Sequence, residues 1–357
     1  MPYFSLKAVS LWLAALACLP LGSIANAGII EWVTVGDPGN TADTAVAGFG
    51  AVAASFRIAK YEFTNQLYTE FLNSVDQNGT NPYSVYNTDM GSNDLGGISF
   101  TSGAASGSKY AIRPNMGDKP VNYVSWFDAA RVSNWLMNGA TSSSSTETGA
   151  YELVNGQTAG SVPAVNSGAT FYVPTEDQWY KAAYYKGGGT NAGYWQYATQ
   201  NDTAPTAVSA TTVGTGTSGG VSPVISGNFA NYNQAADWNG QDFGNVTTVG
   251  TNGGPSAYGT FDMSGNVFEW NDLTGAAGSS RVFRGGDYYY GNPVNLSSAY
   301  RDAGVDPAME GFAIGFRLAS PASGPSGVPE IDPNGLGAAL GLIAAGLGLL
   351  ERRRYGR

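Results

Sequence analysis

The chain has 357 residues, of which 50 are Gly and 12% are charged, and its formal net charge is −10. It contains no His and a single Cys. Imidazole-dependent catalysis, His-ligated iron and nitrogen- or sulfur-ligated zinc or copper are therefore excluded, leaving carboxylates, hydroxyls, amides and hard cations. The first predicted element is a secretory signal over residues 1–27. Lys7 is its only charge, Ala8–Leu21 is apolar, and Ala25-Asn26-Ala27 is a small-x-small cleavage site. Cys18 lies in the apolar run and leaves with it, while Ala15 stands where a lipoprotein would carry a large aliphatic residue.

The body of the chain predicts three helices. Thr64 N-caps a segment to Val75 with Leu67, Tyr68, Phe71 and Leu72 on one face. Ser125 with Asp128 has capping-box spacing ahead of a stripe over 125–137, and Thr175 with Gln178 repeats it over 175–185. Phe171–Val173, Arg281–Phe283 and Ala313–Leu318 read as strands. Asn138–Thr148, Gly187–Gly193 and Ser209–Gly220 read as surface loops. One α+β domain over 28–319 accommodates them all, and residues 320–328 form a linker.

At the far end, Val328-Pro329-Glu330 precedes an apolar run, Leu336–Leu350, and Glu351-Arg352-Arg353-Arg354. That run would span roughly 22 Å as a helix, short of the ~30 Å hydrocarbon core. The ending, 329–357, resembles a PEP-CTERM sorting signal. The resemblance implies export and sorting machinery as partners, transient holding in the inner membrane, and delivery to the cell envelope or exterior. Five of the 17 basic and three of the 27 acidic residues lie in the two ends, so the body carries 24 acidic against 12 basic residues. Such a body repels nucleic acid phosphates.

Six blocks run in order through residues 56–319. They are Lys60-Tyr61-Glu62-Phe63-Thr64-Asn65, then Lys119-Pro120-Val121-Asn122-Tyr123-Val124-Ser125-Trp126, then Val173-Pro174-Thr175-Glu176. Tyr258–Trp270 (YGTFDMSGNVFEW), Arg284-Gly285-Gly286 and Gly315-Phe316-Arg317 complete them. This order resembles the formylglycine-generating enzyme, or sulfatase-modifying factor, family, which implies a variant of the C-type lectin fold with little regular secondary structure. In its oxidase members two Cys, about four and nine residues after the RGG block, hold copper. Here Tyr290 and the Pro293–Asn295 stretch stand at those places, and neither Tyr290 nor Asn295 binds Cu(I). The resemblance also implies a calcium site at Asp262, Gly265, Val267 and Glu269. A second is implied around Asn231, Tyr232, Asp242 and Gly244, with the register open by a residue. For Asp262 and Glu269 the alternative is a capping or Arg-paired carboxylate without metal.

These readings favour a calcium-stabilised, non-catalytic binding or matrix module of the envelope. Asp287, Tyr288, Tyr290 and Arg301 would line the former active-site groove and meet a peptide, protein or glycan. Tyrosine faces and hydroxyls suit such contacts, although an alternating strand would bury part of the cluster. The alternative is an enzyme acting through a carboxylate pair drawn from Asp287, Asp302, Asp306 and Glu310. The missing thiolates argue against formylglycine-generating oxidase activity, which protein-dependent oxygen uptake with copper would restore. Arg284 and Arg317 read as structural partners of loop carboxylates.

Overall fold

The computed structural model describes residues 30–46 and 48–323. The signal segment, the sorting segment with its apolar run, and most of the linker lie outside those residues.

Each predicted helix forms where its cap places it. Helix α1 is Asn65–Val75, with the Thr64 side chain accepting from the Leu67 amide. A short α2 follows at Asp89–Ser92. In α3, Trp126–Met137, and α4, Glu176–Tyr184, both halves of the capping box are made, from Ser125 with Asp128 and from Thr175 with Gln178. Trp126 and Trp135 on α3 are fully buried, as is Trp179 on α4. Each contributes on the order of 2–3 kcal/mol of burial free energy.

Two small sheets carry the frame. In the first, β1 (Trp32–Val35) and β7 (Ala319–Pro321) flank β2 (Phe56–Ala59), both antiparallel to it. The two ends of the domain are thereby fastened to one strand. In the second, β5 (Asp302–Val305), β4 (Arg281–Arg284) and β3 (Phe268–Asn271) are antiparallel, and β6 (Ile314–Gly315) joins β3 in parallel. The rest is ordered loop with two-stranded ribbons, such as Ile98–Phe100 with Tyr110–Ile112.

The β7 ladder runs past residue 319 through Pro321. Two sequence expectations are corrected. Ala313–Leu318 is a strand only at Ile314–Gly315: the Phe316 and Leu318 carbonyls accept instead from the Phe63 and Ala59 amides, each at 2.8 Å. Phe171–Val173 makes a single bridge, Tyr172 to Ala319, and no ladder.

Candidate functional site

The tyrosine cluster follows β4 directly. Gly285 and Gly286 take φ of +96° and +74°, so the chain turns sharply out of the sheet. Asp287 then braces the turn: its Oδ1 accepts from the Tyr289 and Tyr290 amides at 3.0 and 2.9 Å. Burial pushes this carboxyl up to about 6, against the two amide donors that favour its charge. No strand alternation results. Tyr288 is fully buried, Tyr289 half-buried against Phe312, and Tyr290 is 52% exposed with its ring edge-on to Tyr289. Asn295 is half-buried in the 3-10 turn Pro293–Leu296.

Two of the proposed groove residues serve other purposes. Asp287 is a buried turn brace. Arg301 forks onto Glu176, with Nε to Oε1 at 2.8 Å and Nη2 to Oε2 at 2.6 Å, and its guanidinium lies 5.0 Å over the Phe49 ring. Glu176 also pairs with the buried Arg284, so one carboxylate gathers two cations across β4 and α4. The groove surface that remains is Tyr290 with the edge of Tyr289. Beside it, and not foreseen from the sequence, lie Asn233 and Gln234. Both are exposed, both have positive φ (+61° and +56°), and their amides donate to the Tyr290 and Tyr288 carbonyls at 3.1 and 2.8 Å.

The first implied calcium set is not assembled as a metal cradle. Both Glu269 oxygens are taken by the Arg317 fork, at 2.6 and 2.7 Å, and Oε2 also accepts from Trp179 Nε1 at 2.7 Å. Asp262 accepts from the Gly250 amide and, at 2.9 Å, from Asn252 Nδ2. Gly265 does bring its backbone close, since a Cβ there would come within 2.4 Å of the Asn231 carbonyl oxygen. Arg317, fully buried, further donates to the Ala59, Lys60 and Phe261 carbonyls. Burial opposes its charge most strongly of any single cause, but Glu269, together with Glu62 and Asp262, outweighs it and raises the pKa. Calcium requires six to eight open oxygens, and the cation that Glu269 meets here is a guanidinium.

The second set is displaced in register. Asn231 is fully buried while Asp242 is exposed, and the residue beside Asn231 is the buried Asn245, whose carbonyl accepts from Asn231 Nδ2 at 2.9 Å. Asn231 Oδ1 is buried without a partner, but the residues around it are neutral amides and Thr247. Ligand charge sets calcium affinity, so this set also fits poorly. Among the described residues, no three acidic, His or Cys side chains converge to hold a metal.

Glu62, quoted in the first sequence block but given no role there, is the third buried carboxylate of this region. It accepts from Asn266 Nδ2 at 2.7 Å and the Val267 amide at 3.3 Å. Burial, then the charges of Asp262 and Glu269, raise its pKa well above the carboxylate range. The four acids considered as a catalytic pair do not meet. Asp287 is spent on its turn, Asp302 and Asp306 are exposed, and Glu310 bonds Asn87 near Asp128. A small cavity of about 10 Å³, room for a single water, is lined by Ala198, Thr199, Phe229, Asn252, Asp262 and Ser264 among others, and by none of those four.

The model of the sulfatase-modifying factor enzyme 1-like domain matches residues 34–322. The chain belongs to that family. Its fold is the α+β, C-type-lectin-like single domain implied by the six blocks. The chain is similar to CarF in its crystal structure (21% identity over 82% of this chain and 99% of that one, TM-score 0.47). It is also similar to PvdO from Pseudomonas aeruginosa (19% identity, 82% and 91%, TM-score 0.41) and to Treponema denticola variable protein 1 (18% identity, 81% and 94%, TM-score 0.42). No curated protein matches it.

Proposed function

We propose that this family member is an exported, non-catalytic binding or matrix module of the cell envelope, with its contact surface at Tyr290. The observation that carries the reading is the chemistry at the two positions where oxidase relatives hold copper. A phenol and a carboxamide, Tyr290 and Asn295, occupy them, and neither is a soft ligand for Cu(I). Of the nearby carboxylates, Asp287 is committed to its backbone turn and Glu176 to two arginines, while Asp302 and Asp306 are exposed.

The frame beneath is rigid by a different route from the calcium staple the resemblance implied. Arg317 with Glu269, Arg284 with Glu176, Arg281 with Asp272 and Arg131 with Glu147 tie distant segments, and all four arginines are fully buried. Export is supported by the signal pattern at 1–27 and the sorting pattern at 329–357. The test is to measure, on the full chain, saturable binding to panels of immobilised peptides and oligosaccharides, and to assay the bound material for chemical change. Binding without conversion is the expected result; conversion of any bound compound contradicts the reading.

A further inference from the structure

The geometry points to a neutral carbohydrate as the ligand of the Tyr290 surface, an inference that rests on the binding-module reading above. Three observations converge on it. First, the ring is presented in a fixed pose: Tyr290 is half exposed yet held edge-on by Tyr289 at 5.6 Å and by Phe268 at 6.3 Å. A phenol so placed offers a flat apolar face for the C–H side of a sugar ring, with little rotamer entropy left to lose. Second, two carboxamide residues adjoin its backbone in a strained conformation. Asn233 and Gln234 are consecutive non-glycine residues in the left-handed region, at φ +61° and +56°, a conformation that costs of order 1 kcal/mol each and collects at ligand-contacting sites. Their position is enforced by hydrogen bonds to the Tyr290 and Tyr288 carbonyls. Asn233 lies so close over Gly291 that a Cβ there would meet its Oδ1 at 2.6 Å. A carboxamide donates and accepts at once, which matches a pair of neighbouring hydroxyls. Third, Asn233, Gln234, Tyr290, Gly291 and Asn292 include no charge, on a chain of net charge −10.

An extended peptide fits less well, because strand addition needs a free edge. The Tyr288 amide already donates to Asn266, the Tyr289 and Tyr290 amides to Asp287, and the Tyr288 and Tyr290 carbonyls accept from the neighbouring loop. An acidic polysaccharide would be repelled by the surrounding charge.

The test titrates the full chain with soluble neutral gluco-, galacto- and manno-oligosaccharides, with uronate-bearing oligosaccharides and with a peptide panel. The wild type is compared with Tyr290→Ala, Tyr290→Phe, Asn233→Gly and Gln234→Gly. Neutral oligosaccharide binding is expected to weaken about tenfold in Tyr290→Ala and to stay within about threefold in Tyr290→Phe. The two glycine variants should lose about threefold each in binding while melting no lower than the wild type, because glycine relieves the left-handed strain. Glycan binding indifferent to Tyr290→Ala, or a preference for uronates, overturns the inference. Peptide binding that Tyr290→Ala abolishes overturns it too, while leaving the binding-module reading standing. No binding to any panel overturns both the inference and the binding role, and leaves the matrix role.

Discussion

Removing the Arg317 guanidinium is the perturbation that most directly probes how this frame is held. In Arg317→Met the buried Glu269 carboxylate keeps only the Trp179 N–H, and the Ala59 and Phe261 carbonyls lose the guanidinium donor, while the Lys60 carbonyl keeps the Phe261 amide. Breaking a fully buried pair by deleting one partner costs about 3–5 kcal/mol. Each abandoned carbonyl adds up to about 1 kcal/mol where water cannot reach it. The Asp262 carboxylate acts in the same direction, since Arg317 favours its charge and Glu269 opposes it. A loss of about 4–6 kcal/mol is therefore expected, a large part of the 5–15 kcal/mol typical of a folded domain. The double variant Arg317→Met/Glu269→Gln should recover about 2 kcal/mol or more, because Gln keeps an acceptor for Trp179 without leaving a buried charge. Urea unfolding of the wild type and both variants, with calcium and with EDTA, measures this. An unfolding midpoint unchanged in Arg317→Met refutes the reasoning. So does a wild-type midpoint that falls on chelation, because the carboxylate would then be serving a metal.

Asp287→Asn should stabilise the protein above pH 6 by on the order of 2 kcal/mol, because Asn Oδ1 keeps both amide donors while the buried charge disappears. The sign follows from the native carboxyl titrating at about 6, above its unfolded value. Native Asp287 holds its proton more tightly than the unfolded chain, so stability falls as pH rises from about 4 to about 6 and is level beyond; thermal melting across that range checks it. Asp128, raised to about 6, and Glu310, raised to about 7, slope the same way. Gly265→Ala, at φ +97° with the Asn231 carbonyl oxygen 2.4 Å from the new Cβ, should cost about 2 kcal/mol or more in chemical unfolding. If residues 1–27 are a cleaved signal, intact-mass analysis of protein recovered from outside the cytoplasm begins at Gly28; a mass retaining residue 1 contradicts it.

The local signals were legible and the long-range ones were not. Thr64, Ser125 and Thr175 announce their helices because a cap and its partner lie three residues apart, within one turn. Arg317 reads from the sequence as a structural partner of a loop carboxylate, and it pairs with Glu269 as the metal-free alternative has it; naming that partner is beyond any spacing rule, because the pair spans 48 residues. Arg301 was placed in the groove by its nearness in sequence to Tyr290, yet its carboxylate is Glu176, 125 residues away. Tyr290 was visible as the substitute for a thiolate. Asn233 and Gln234 were not, because left-handed backbone at two consecutive non-glycine residues has no composition signature. The one usable hint was the polar run around Asn231.

The most direct test of the central claim is oxygen consumption by the full chain after anaerobic loading with Cu(I), on addition of a thiol-containing peptide. With a phenol and an amide where the relatives place sulfur, the rate should equal that of copper and peptide without protein. Protein-dependent oxygen uptake coupled to loss of the thiol contradicts the account.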